Sequence, residues 1–124
     1  MKEEYIRLIE SNGRKFAEVM TDEVIINNVD EALDVLAYVG ENGTNLLLFH
    51  ERNFHPDFYN LKTGLAGEIL QKFSNYQIRA AICGQFGRVG SKRFSEFIYE
   101  CNRGRQLHFS DDRNKSVAWL LGEV

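Results

Sequence analysis

Two runs, Asn45–Glu51 (NLLLFHE) and Gln77–Gly84 (QIRAAICG), constrain the fold of this chain more than any other part of it. Each is apolar without alternation and turns polar only at its end. A strand covered on one face alternates apolar and polar residues, and a strand covered on both faces does not. The runs therefore predict two central strands of a parallel sheet, joined by a helical crossover. The segment between them supplies the helix. In Leu61–Asn75 (LKTGLAGEILQKFSN), Leu61, Leu65, Ile69 and Phe73 recur every fourth residue, with Ala66 and Leu70 widening the stripe. That period predicts a helix over 61–75, capped by Asn60. Gly64 and Gly67 each cost a helix about 1 kcal/mol relative to alanine, which predicts that the backbone there lies close to something. Arg52–Tyr59, with the single proline, Pro56, reads as an irregular loop.

The flanking elements follow from local signals. Tyr5–Glu10 and Arg14–Met20 are strand-like and meet through Ser11-Asn12-Gly13, the turn pattern of an antiparallel hairpin. Asn27 or Asn28 caps a helix with the stripe Val29, Ala32, Leu33, Leu36 and Ala37, stopped at Gly40 or Gly43. Ser91 caps a third helix with the stripe Phe94, Phe97, Ile98 and Cys101, stopped by Gly104. Leu107–Phe109 is a last short strand. Asp111 or Asp112 then caps a closing helix that packs through Val117, Trp119, Leu120 and Leu121. The result is a single α/β domain over residues 1–124: a mixed five-stranded sheet with four helices, its N-terminal hairpin antiparallel and its remaining strands parallel.

This element order resembles the STAS domain, the fold of bacterial anti-sigma-factor antagonists. Thr63-Gly64-Leu65-Ala66 is similar to the Ser/Thr-Gly-Leu-Gly/Ala box that opens the second STAS helix. Leu107–Leu121 is similar to the STAS ending of short strand, acidic turn and helix. The resemblance implies a phosphoacceptor hydroxyl at Thr63 and partner docking on the adjoining helix. The chain departs from the pattern at Leu61, where antagonists usually carry an acidic residue. The whole chain also resembles a family of small bacterial proteins catalogued only as a domain of unknown function, which lends a fold and no activity.

Composition excludes several classes. With 44% hydrophobic and 27% charged residues the chain reads as globular. Its net charge of −3, and the lack of base-stacking aromatics among its cations, argue against nucleic acid. No apolar run approaches the roughly 20 residues that span a bilayer, and MKEEYIRLIE has no apolar signal-peptide centre. A cytoplasmic protein without membrane contact is expected. Cys83 and Cys101 lack metal-site spacing and read as free thiols filling apolar positions. Residues 1–31 carry four basic and eight acidic side chains, net −4, and residues 85–109 carry five basic and two acidic, net +3. Opposite patches can steer association with a protein partner or another copy of the chain.

Ligands of open α/β sheets sit beyond the carboxyl ends of the strands. That rule gathers Glu51, Thr63, Gly64, Gly67, Gly84, Arg88, Gly90 and Ser91 as binding candidates, with His50, His55 and Asp57 beside them. A hydroxyl at Thr63 can receive a phosphate stabilised by the helix start. Gly84, Gly87 and Gly90, followed by Ser91 with Arg88, Lys92 and Arg93 nearby, can cradle a small anion. Glu51 suits a polar ligand group or the steadying of its loop. His50 and Glu51, as strand neighbours, point to opposite faces and cannot share one ion, so no metal and no cofactor is expected. No catalytic residue is assigned. The reading is a non-catalytic regulatory or protein-interaction module, switched by phosphate or anion at the helix starts. The alternative is a binder of anionic metabolites, or an enzyme, using Glu51 and the Gly84–Ser91 loop.

Overall fold

The structure is a computed structural model that describes residues 2–88 and 91–123, the side chains of Lys2, Glu3 and Arg88 excepted. Gly90 lies outside the described residues. Strands β1 (Ile6–Ser11) and β2 (Arg14–Val19) form the expected hairpin, with Asn12 at φ 52° and Gly13 at φ 77° making its turn. Strands β3 (Leu46–His50), β4 (Arg79–Cys83) and β5 (Leu107–Ser110) follow in parallel, so the sheet runs β1-β2-β3-β4-β5. Helices α1 (Val29–Glu41), α2 (Leu65–Asn75), α3 (Lys92–Asn102) and α4 (Arg113–Leu120) complete it. Among the described residues no helix is long and apolar enough to cross a membrane.

Each parallel crossover moves one strand in the same direction, so crossovers of one hand place all their helices on one face. Alternate residues of β3 divide accordingly. Leu47 and Phe49 are buried with Ala32, Val35, Ile69, Phe73 and Phe94 of α1, α2 and α3. Leu46 and Leu48 are buried on the other face with Phe16, Ala81, Trp119 and Leu120. Two covered faces explain why β3 and β4 lack alternation. Helix α4 ends against strand arginines: Arg79 Nη2 donates to Trp119 O at 2.6 Å and Arg14 Nη1 to Leu121 O at 3.0 Å. Cations at that end offset the negative pole of the helix. Trp119 lies against the Arg79 guanidinium at 3.9 Å and the His108 ring at 4.9 Å.

Asn28, Ser91 and Asp112 cap α1, α3 and α4 through their side chains, as their positions predict. The helix expected over 61–75 is different. Leu61–Thr63 is a 3₁₀ turn, capped by Asn60, and Gly64 at φ 81° separates it from α2, which starts at Leu65. The four-residue spacing of leucines is kept because both helical forms bring nearby turns round to one side. Gly64 is thus explained by its backbone conformation rather than by a close approach. Among the described residues nothing beyond its own helix lies within 4 Å of where a Cβ on Gly67 would stand, so the close neighbour expected there is not found among them.

The two glycines therefore respond oppositely to alanine. Gly64→Ala places a side chain at positive φ and is expected to cost about 1 kcal/mol. Gly67→Ala, in open space on an ordinary helix, is expected to stabilise by about 0.5–1 kcal/mol. Urea melts of the two variants check the signs, and two shifts in one direction would contradict this account.

Candidate functional site

The carboxyl ends of β2, β3, β4 and β5 and the turns that follow them form one polar rim. Its framework is the loop after β3, a succession of 3₁₀ turns at Glu51–Asn53, Pro56–Tyr59 and Leu61–Thr63. The fully buried Asn53 ties this loop to the segment after β2. Its Nδ2 donates to Thr21 O at 2.8 Å and to Glu23 O at 3.1 Å, and its Oδ1 accepts the His50 N–H at 2.7 Å. Ile26 and Phe54 add a parallel bridge. Two loops distant in sequence are held as one wall.

Glu51 and Gly84 touch. A Cβ on Gly84 would stand 2.6 Å from Glu51 Cβ, closer than side-chain carbons pack. Glu51 Oε1 accepts the Gln85 N–H at 2.6 Å, while Tyr59 Oη donates to Glu51 O at 2.5 Å. Burial, reinforced by the Glu51 charge, pushes the Tyr59 phenol far up, so it remains a protonated donor. A hollow of about 430 Å³ opens here, walled by Val24, Phe54, Pro56 and Tyr59 with the charged Asp22, Glu51 and Arg52.

Ser91 stands at a second hollow, of about 740 Å³, with Lys92, Arg93, Lys62 and Leu61; Tyr59 borders both. Ser91 Oγ accepts the Phe94 N–H at 3.3 Å as the cap of α3. Arg88 ends the 3₁₀ turn Phe86–Arg88. Thr63 belongs to a third hollow, at the starts of α1 and α2, with Asn28, Asp30, Asp57, Leu65 and Glu68. Its hydroxyl is exposed and donates to Asp57 O at 2.6 Å and Asn60 O at 2.9 Å. Of the expected residues, Glu51, Thr63 and Ser91 thus line three different hollows, and Gly64, Gly67 and Gly84 line none of these.

The rim also holds an ionic cluster that the sequence analysis did not single out. Glu18 on β2 is 3% exposed. Arg113, the first residue of α4, donates to both its oxygens, with Nη2–Oε1 at 2.5 Å and Nε–Oε2 at 3.1 Å. His50 Nε2 lies 2.9 Å from Glu18 Oε2. Burial pushes the Glu18 carboxyl up, but the hydrogen bonds and charges of Arg113 and His50 outweigh it and hold the carboxyl below its ordinary range. The one available signal was a carboxylate between Ala17 and Val19, inside a strand whose neighbours are buried. His50, the last residue of β3, turns to Glu18, whereas Glu51 is not its strand neighbour but the first residue of a 3₁₀ turn and accepts from Gln85.

The two thiols are held in their protonated form. Burial pushes the Cys101 thiol up to about 11, with Glu100 adding to it. Burial, then Asp112, raises Cys83 as well. Both thiols are free, and a raised pKa leaves them protonated and weakly nucleophilic. His55 Nδ1 accepts the Asp57 N–H at 3.0 Å and serves its own turn. Among the described residues no three His, Cys, Asp or Glu side chains are grouped to hold a metal ion.

No curated protein and no solved structure matches the chain. One family does, over residues 11–120, a span that takes in all four helices and every strand except β1, of which it includes only Ser11. The chain belongs to the family described as "Domain of unknown function (DUF4180)".

Proposed function

We propose that this domain is a non-catalytic interaction module, STAS-like in plan, that receives an acidic group of a partner protein in the hollow at the start of α3. One observation carries the reading. Lys62, Lys92 and Arg93 converge there from two elements, no carboxylate among the described residues lines the hollow, and none of the three cations has an ion-pair partner among them. Unpaired cations beside a capped helix start favour a carboxylate or phosphate, while Leu61 and Tyr59 offer apolar surface to the residues around it. The Thr63-Gly64-Leu65-Ala66 box and the order of elements support the STAS-like plan.

Phosphate at Thr63 is the proposed switch. It would take the hydroxyl away from Asp57 O and Asn60 O and set a dianion in a hollow shared with Asp30, Asp57 and Glu68. Like charges there would repel, loosening the turn that carries Lys62.

The test is fluorescence anisotropy with a panel of aspartate-rich and phosphorylated peptides at low and physiological salt. Binding that weakens with salt, and falls about tenfold in Lys62→Ala/Arg93→Ala, is expected. Thr63→Glu is expected to weaken the same peptides. A panel that binds nowhere, or binds the double variant equally well, would overturn the reading.

A further inference from the structure

The hollow beside Glu51 carries a different charge pattern from the cationic one, and it is built at some cost. Position 84 has no room for any side chain because Glu51 occupies the space, and the Gln85 N–H then fixes one carboxylate oxygen. The other oxygen, Oε2, accepts no hydrogen bond among the described residues, and neither Asp22 nor Arg52 has an ion-pair partner there. Two carboxylate residues and one arginine, none with an ion-pair partner among the described residues, thus line a hollow of about 430 Å³ whose remaining walls, Val24, Phe54 and Tyr59 among them, are chiefly apolar. Such a volume is of the size that holds a small organic molecule. A simple anion would meet Asp22 and Glu51, and a simple cation would meet Arg52. A neutral apolar compound would leave all three charges without a partner.

We infer that this hollow binds a zwitterionic α-amino acid with an apolar side chain. Its ammonium is held by Glu51 and Asp22, its carboxylate by Arg52, and its side chain lies against Val24, Phe54 and Tyr59. The site is separate from the cationic hollow, although Tyr59 borders both.

Isothermal titration calorimetry with L-leucine and L-phenylalanine tests the assignment. N-acetyl-L-leucine, which lacks the ammonium, L-leucine amide, which lacks the carboxylate, and L-glutamate serve as comparators. Saturable binding of leucine or phenylalanine is expected, weaker by about tenfold or more for all three comparators and in Glu51→Gln. Val24 is 43% exposed, so Val24→Asp should fold normally and still lose binding, which keeps the test sound if Glu51→Gln unfolds. Lys62→Ala/Arg93→Ala should bind the amino acids unchanged, which separates this site from the peptide hollow. No saturation by either amino acid up to about 10 mM would overturn the assignment. So would an amide that binds as well as the free acid, or a Val24→Asp protein that binds as the parent does.

Discussion

Arg113→Met is expected to destabilise the domain by about 2–4 kcal/mol, because it removes the main counter-charge of a carboxylate buried in the sheet. Glu18 has no comparable substitute: His50 reaches one of its oxygens, whereas Arg113 reaches both. The Arg113 side chain is 46% exposed, so water replaces part of what is lost and the effect stays below that of a fully interior pair. Glu18→Leu/Arg113→Met should recover much of the loss, since an apolar pair of similar size leaves no charge to solvate. Urea denaturation of the single and double variants measures this, and a single variant within about 0.5 kcal/mol of the parent would sink the argument.

The same pair sets an acid limit. The folded carboxyl of Glu18 titrates below its ordinary value of 4.5, so the folded state binds fewer protons than the unfolded chain in that region. Its contribution is therefore complete above 4.5 and is lost as pH falls through the lower folded value. Without Arg113, burial acts with less opposition, and the loss on acidification should shrink or reverse. Denaturation on either side of pH 4.5 separates the two proteins.

The second large effect is expected at Gly84. Alanine there would bring its Cβ to 2.6 Å from Glu51 Cβ and 2.7 Å from Oε1. The nearest atom is the root of the Glu51 side chain rather than its flexible end, so relief requires movement of one main chain. Overpacking of this kind costs about 1–3 kcal/mol. It also pulls the carboxylate from the Gln85 N–H, and binding at the adjacent hollow should fall with it. Glu51→Gly/Gly84→Ala opens the space again and should be more stable than the sum of the two single effects predicts. Simple additivity in that double-mutant cycle would show that the close approach does not govern the site.

Sequence periodicity identifies a segment that must lie against a core, but not which helical form it takes. Leu61 and Leu65 suit a continuous α-helix as well as a 3₁₀ turn followed by one; the left-handed φ of Gly64 makes the difference. A glycine in a helical pattern is compatible with a close neighbour, a break or neither, and here Gly64 is a break and Gly67 neither. The rim residues Glu51, Gly84, Thr63 and Ser91 were legible as a group, because the ends of parallel strands must emerge on one side. The placing of Glu51, Thr63 and Ser91 in three separate hollows was not, since it depends on side-chain directions in turns that have no fixed period.

By itself the sequence determined what neighbours along the chain decide: the Asn12-Gly13 hairpin turn, the cap Ser91, caps narrowed to Asn27 or Asn28 and to Asp111 or Asp112, and the two strands whose unbroken apolar runs demand cover on both faces. Tertiary structure alone decided that Glu18 is buried on Arg113, 95 residues away, and that Asp22, Glu51 and Arg52 meet around one hollow. Caps and turns are satisfied within three or four residues, so their chemistry is local. A buried charge finds its partner only after the strands have taken their order and α4 has folded back across the sheet.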